Sequence, residues 1–324
     1  METRELGRSG VVVSRVVLGC GDFGGIGSAP AFFGQGTPKD VAFRLMDGAW
    51  DLGVTTFDTA DAYGGGRSET WIGEWLRTKP AEVRDRLVVA TKTFNPMLEG
   101  AGGGLARVRI HRQIDTSLAR LGVERVALYM AHDFDPAVPQ EETLLAFDEL
   151  VRAGKVGAVG ASNFTGEQLA EALELAGLEG LARYECVQNT FSLLEQGDRE
   201  TVFPICHEHE LGYEPFSPLA GGWLTGKYRR DEEPPAGSRM TKRPDPYERY
   251  RTNEVYDALE RLETWAALRG TTMATAATAW LLHLPEVSAV VVGPNRVEHL
   301  DQVRDALELR LTPDERDELA GWFA

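Results

Sequence analysis

Four side chains able to do proton chemistry stand at or just past the ends of β-rich runs. They are Asp58 in VTTFD, Tyr63 in the stretch that follows, Lys92 in VVATK and His132 in LYMAH. A lone Asp or Lys at such a place is ordinarily a solvated turn residue. Four groups of complementary type at successive run ends ask for a joint role. Reducing a carbonyl needs a hydride donor and a proton for the developing alkoxide. A tyrosine hydroxyl, with a pKa near 10, is a sluggish acid at neutral pH. A neighbouring ammonium favours the phenolate and lowers that pKa, at about 1.4 kcal/mol per unit. Lys92 is the ammonium, Asp58 the carboxylate that keeps it charged, and His132 a donor that can orient a carbonyl oxygen.

The hydride donor has its own trace. Residues 19–24, GCGDFG, match the G-x-G-x-x-G spacing that cradles a dinucleotide pyrophosphate. That fingerprint requires a helix opening at its third glycine. Here GIGSAPAFFGQGTP follows Gly24, and its glycines and prolines leave no room for a helix before about Pro38. A nicotinamide nucleotide is therefore expected, but not on a doubly wound dinucleotide fold.

The elements that must position these groups alternate. Helix-like stretches close on glycine and a β-rich run follows: DLG then VTTFD, RLG then VERVALYM, RAGK then VGAVGAS, ELG then YEPFS. Glycine there reads as a left-handed helix cap. Ile110, Ile114, Leu118 and Leu121 carry helical spacing, as do Leu144, Phe147 and Val151. The β runs are continuously apolar, as strands covered on both faces should be. Eight are expected, near 16–19, 54–58, 87–91, 126–131, 156–161, 185–188, 212–216 and 288–292. The predicted fold class is thus α/β, a (β/α)8 TIM barrel, with a doubly wound sheet as the runner-up. ELGRSGVVVS reads as an N-terminal hairpin, and no linker divides residues 1–324, so a single domain is expected. Residues 22–37, 93–108 and 228–252 are long strand-exit loops on the face where barrel chemistry sits. The strand ends read Cys20-Gly21, Asp58 with Tyr63, Lys92, His132, Ser162-Asn163, Gln188-Asn189, Phe216-Ser217 and Gly293.

Composition narrows the class. A net charge of −16 argues against nucleic-acid and anionic-membrane partners. Cys20, Cys186 and Cys206 form no CxxC pair, the start METRELGRSG is no signal peptide, and no apolar run reaches membrane-spanning length. A cytoplasmic enzyme without a metal is expected. GGWLTGKY at 221–228 is one residue short of a P-loop, since Tyr228 stands where Ser or Thr must reach magnesium. His207 and His209, two apart on a helix beside Cys206, point to different sides. Asp22, Phe23, Phe94, Phe134 and Trp223 are candidates to line a partly aromatic substrate cavity.

Along almost its whole length the chain resembles the aldo-keto reductases. The stretches GVTTFDTADAYG, VVATK, LYMAHDFDP, VGASNF, VQNTFSLLE, PFSPLAGGWLTGKY and VVVGPNRVEHL carry the likeness in order. The subgroup resembled most holds bacterial reductases and potassium-channel β subunits. The resemblance implies that Asp58, Tyr63, Lys92 and His132 form a catalytic tetrad, with Tyr63 as proton donor. It implies that Ser162, Asn163 and Gln188 hold the nicotinamide carboxamide, that Phe216 stacks on the ring, and that Cys20 and Gly21 lie beside it. Ser217, Leu219, Gly221 and Lys227 match the pyrophosphate stretch, and Arg239 matches an arginine of the loop closing over it. Gly293, Asn295 and Arg296 fall at the adenosine end. Where the family often has an acidic residue followed by Asn, this chain has Gln302-Val303, so one adenine contact drops out of the motif. Arg296 stands one position from the familiar place of a 2′-phosphate ligand, and NADPH is expected over NADH.

Two other functions fit parts of the pattern. A Schiff-base aldolase also places a lysine at a barrel strand end, here Lys92. A nucleotide-binding regulatory subunit follows from the channel-subunit likeness. A small-molecule carbonyl substrate is expected; sugar, aryl and keto-acid classes all fit, and no oligomeric state is implied.

Overall fold

A computed structural model describes residues 1–324. Ten strands are formed: β1 Thr3–Glu5, β2 Val12–Ser14, β3 Val16–Gly19, β4 Thr56–Asp58, β5 Val88–Thr93, β6 Val126–Ala131, β7 Val156–Ser162, β8 Tyr184–Gln188, β9 Gly212–Tyr213 and β10 Val290–Val292. Strands β3 to β10 make one all-parallel sheet in the order β10-β3-β4-β5-β6-β7-β8-β9. The ring closes through the backbone. Ser288 N–H donates to Tyr213 O at 2.8 Å, and Val291 N–H donates to Pro215 O at 2.9 Å. Helices alternate with the strands, among them Lys39–Asp51, Arg67–Arg77, Arg107–Leu121, Gln140–Arg152, Gly166–Glu179 and His299–Glu308. This is the (β/α)8 barrel that the alternation predicts. No helix is long and apolar enough to cross a membrane.

All eight expected strands are present, with shifted ends. The largest shift is in β9, expected over 212–216 and formed only at Gly212–Tyr213. Pro215 has no N–H to give a ladder, and Ser217 sits at φ 56, so the chain leaves the sheet early. One cap expectation also fails. Gly53, Gly122 and Gly154 do take left-handed φ, but the helix Phe203–His209 is capped by Glu210 at φ 52, not by Gly212. Gly212 is glycine for another reason: a side chain there would strike Leu6.

Leu6 belongs to the hairpin of β1 and β2, which pair antiparallel from Thr3↔Ser14 to Glu5↔Val12. Its turn carries Leu6 and β2 supplies Val13, and both are buried with Val17, Ala90, Leu128, Ala158, Cys186 and Val291 in the barrel interior. The hairpin is therefore the plug of the strand-entry end. The outer layer is a second, larger core. Ile110, Ile114, Leu118 and Leu121 bury one face of their helix there, as their spacing predicts.

Candidate active site

The side chains two residues further along the same strands are polar. On β5 the inward Ala90 is followed by Lys92; on β8 the inward Cys186 is followed by Gln188. Lys92 is fully buried, at 0 % exposure. Its Nζ donates to Asp58 Oδ1 and Oδ2, both at 2.6 Å, and to the Thr59 carbonyl at 3.1 Å. Burial alone would lower the lysine's pKa. The Asp58 carboxylate and the nearby Tyr63 outweigh it, and the pKa stands above the ordinary value. Lys92 is therefore a held ammonium.

Tyr63 opens a short turn at Tyr63–Gly65, after β4, and its ring lies 5.3 Å from Lys92 Nζ. The expectation that Lys92 lowers the Tyr63 pKa needs correction. Lys92 does act in that direction, but burial is the larger effect, and the phenol ends above its usual value. Tyr63 thus carries its proton across the whole neutral range. His132 follows β6, with its Nε2 3.5 Å from Tyr63 Oη and the two rings edge to face. Burial, helped by Lys92, pushes the His132 pKa well down, so the imidazole is neutral. The amide nitrogen of Asn95 lies 3.2 Å from His132 Nδ1. An amide nitrogen can only donate, so Nδ1 is the acceptor and Nε2 carries the ring proton. An oxygen lodged between Tyr63 Oη and His132 Nε2 would meet two donors.

The other predicted residues surround this centre. Gln188 Nε2 donates to Asp58 Oδ1 at 3.2 Å. Asn163, at φ 59, donates from Nδ2 to the His132 carbonyl at 2.8 Å and to Ser162 Oγ at 3.3 Å. A side chain on Gly21 would touch the Tyr63 ring, and Cys20 is buried beside it with its thiol pKa pushed far up. Phe216 packs half-buried on the barrel interior. Past it, Ser217, Ala220, Gly221 and Gly222 all take positive φ, which for Ser217 and Ala220 costs about 1–3 kcal/mol each. Leu219 lies half-buried inside that turn.

Arg239 comes from the long loop after β9 and bonds Asp22 of the loop after β3, at 2.5 and 2.7 Å. The two loops thus meet across the barrel mouth. Lys227 is a different case: burial and the charges of Arg239 and Arg296 depress its pKa. His299, at the start of the final barrel helix, is depressed by burial, Arg296 and Lys227. Lys227 and Arg296 make no ion pair with a carboxylate, and Gly293, Asn295 and Arg296 are exposed beyond β10. In a chain of net charge −16, mutually repelling cations beside a strained glycine turn fit a polyphosphate.

Two of the predicted wall residues are deeply buried. Phe23 is wholly buried, and Trp223 packs against Tyr228, Tyr250 and Tyr256. Phe94 and Phe134 remain half-buried, the latter on Phe164. Asn95, Glu214 and His299 were not singled out by type and spacing. Asn95 sits in the loop after Lys92, where an amide has no motif; the others lie in motifs read for their neighbours. An open groove of about 790 Å³ between the helices Arg107–Leu121 and Gln140–Arg152 holds none of the strand-exit groups.

Residues 15–322 match the model of the Aldo/keto reductase family. The chain is 35% identical to the uncharacterized oxidoreductase YrpG of Bacillus subtilis, over 96% of this chain and 92% of that protein. It is 29% identical to the versiconal hemiacetal acetate reductase of Aspergillus parasiticus, over 97% and 95%. It is 32% identical to a putative voltage-gated potassium channel subunit beta of Schizosaccharomyces pombe, over 96% and 90%. With the barrel and the strand-exit cluster of Asp58, Tyr63, Lys92 and His132, the chain belongs to the aldo/keto reductase family, an NAD(P)H-dependent oxidoreductase.

Proposed function

We propose that this chain, acting as one domain over residues 1–324, reduces the carbonyl of a small aldehyde or ketone with NADPH, and that Tyr63 supplies the proton. One observation carries the reading. The buried Lys92–Asp58 pair lies under a phenol whose neighbour across 3.5 Å is a neutral imidazole with Nε2 free to donate. Bound, the nicotinamide supplies the hydride. The residues do the rest. His132 Nε2 orients and polarises the carbonyl oxygen, and Tyr63 Oη passes its proton to the alkoxide as charge develops. The Lys92 ammonium then stabilises the phenolate, at the moment when burial penalises it most. Asn95 holds the histidine in the tautomer that this requires.

The adenosine end supports NADPH. Lys227 and Arg296 make no ion pair with a carboxylate, and NADH would bring no 2′-phosphate to relieve them. Against the aldolase, Lys92 is held charged by both Asp58 oxygens, whereas Schiff-base formation needs a free amine. The regulatory-subunit reading rests on the channel-subunit likeness, and the complete set of Asp58, Tyr63, Lys92 and His132 speaks against a purely regulatory role. Three free, buried cysteines fit the reducing cytoplasm, and the charge of −16 speaks against nucleic acid.

A panel of aldehydes and ketones, followed by NADPH absorbance, tests the reading with wild type and Tyr63→Phe. The variant should lose about 10²-fold or more in kcat and keep its NADPH affinity. Near-normal turnover would remove Tyr63 from the chemistry.

A further inference from the structure

The barrel interior holds a second acid that the proposed chemistry does not use. Cys186 pairs with Gly212 and Val187 with Tyr213, so the next positions along these strands, Gln188 and Glu214, stand side by side. Tyr213 packs outward on Phe191 and Phe203. Its successor therefore turns inward, and Glu214 is only 2 % exposed. Its N–H donates to Val187 O at 2.9 Å, which fixes the backbone. The Gln188 amide that donates to Asp58 Oδ1 thus has Glu214 beside it on the adjacent strand, and lies next to two carboxyl groups. Two residues on stands Phe216.

Around this pair of carboxyls there is one cation. Lys92 gives its ammonium to both oxygens of Asp58, which leaves Glu214 without a counter-charge. Burial and the Asp58 charge push the Glu214 pKa up to about 8, and Lys92 pulls less strongly the other way. The groups that face it from neighbouring strands are Asp58 on β4, Lys92 on β5 and Cys186 on β8; β10 offers Val291. The Cys186 thiol is pushed well above its ordinary value. Beyond them, Tyr63 is pushed above 10 and His132 well below its usual range. Lys92, Cys186, Tyr63 and His132 are thus shifted away from neutral pH, and Glu214 towards it.

Resting on the reading that a nicotinamide nucleotide binds at this face, we infer that Glu214 tells the oxidised cofactor from the reduced one. It is an acid that gives up its proton when the oxidised form binds and keeps it with the reduced form. The reason is charge. An oxidised nicotinamide ring carries one positive charge to the end where Gln188 and Phe216 stand, and a reduced ring carries none. A cation there acts on Glu214 in the direction of Lys92 and lowers its pKa. The carboxylic acid O–H bond then breaks and the proton leaves to solvent, leaving the carboxylate beside Gln188.

The direction with pH follows. Below about pH 8 free Glu214 is protonated, so binding the oxidised form releases a proton, and its affinity rises with pH until the free acid is itself ionised. Binding the reduced form has no such dependence. The 2′-phosphate, Lys227, Arg296 and His299 respond alike to both forms, so comparing the two removes them. At neutral pH binding the oxidised product must first take the proton from the acid, which weakens its hold and favours its release after carbonyl reduction. At alkaline pH the carboxylate holds it.

Isothermal titration with NADP+ and with NADPH, in two buffers of different ionisation enthalpy, counts the protons. At pH 7.5 about half a proton or more should be released with NADP+ and essentially none with NADPH. The Kd for NADP+ should fall about threefold from pH 7 to pH 8, and that for NADPH should not follow it. Glu214→Gln should abolish the difference, and the wild-type comparison stands without any variant. Equal proton release by the two forms overturns the inference, as does a difference that survives in Glu214→Gln. If neither form binds, the cofactor reading itself fails, and this inference fails with it.

Discussion

The two ends of the barrel use the same inward positions for opposite purposes. At the strand-entry end the hairpin sends Leu6 and Val13 among Val17, Ala90, Leu128 and Ala158, with the hydroxyl of buried Thr56 taken up by the Ser14 N–H. At the strand-exit end, one inward step along, the residues are Asp58, Lys92, Gln188 and Glu214, and they are just as buried. Burial stabilises the first set, at about 25 cal/mol per Å² of apolar surface. It destabilises the second unless each charge has a partner. Lys92 has three oxygens for its ammonium and Asp58 has Lys92 and Gln188. Glu214 has no cation of its own, and it meets the same cost by keeping its proton. The comparison separates what holds this barrel shut from what it holds in readiness.

Breaking each end should therefore fail differently. Lys92→Met takes away the cation that Asp58 is bonded to and leaves it to Gln188, and should lower stability by about 3–5 kcal/mol while abolishing turnover. Urea unfolding and the NADPH assay read the two losses together. Borohydride treatment of wild type with substrate should trap no adduct on Lys92; an adduct would restore the aldolase. At the other end, Leu6→Ala opens a cavity in the plug and should cost about 3 kcal/mol of stability with kcat unchanged. A kcat that falls in step with stability would show that the ends are not independent. The smallest effect is sought at the rim. Arg296→Ala should weaken NADPH binding about tenfold and NADH binding less than about twofold. Tryptophan quenching with both cofactors measures this, and equal losses would make Arg296 structural.

Some of this was legible before any coordinates. DTADAYG and VVATK name Asp58, Tyr63 and Lys92 because a residue at a strand end is fixed by the strand's own apolar run. The eight strands follow from those runs too, since a strand covered on both faces has no polar alternation to obscure it. The (β/α)8 order then places all these ends on one face. No helix opens at Gly24: a single 3-10 turn forms at Pro30–Phe32, and the next α-helix begins only at Lys39.

Tertiary structure alone decided the rest. Whether Lys92 lowers the Tyr63 pKa depends on how deeply the phenol is buried, and depth is a property of the loops above it, not of the motif. The histidine tautomer depends on Asn95, brought to Nδ1 by a loop of no recognisable pattern. Gly212, which ELG marks as a helix cap, is glycine because Leu6 of the hairpin occupies the space where its side chain would go. Glu214 was hidden for the same reason: in GYEPFS it is one polar residue among apolar ones, and only barrel closure gives it Gln188 and Asp58 for neighbours. Local sequence determines which residues end a strand, because periodicity and turn chemistry act over a few residues. Their charge states were decided by contacts between residues far apart in the chain, because desolvation and Coulomb forces act through space.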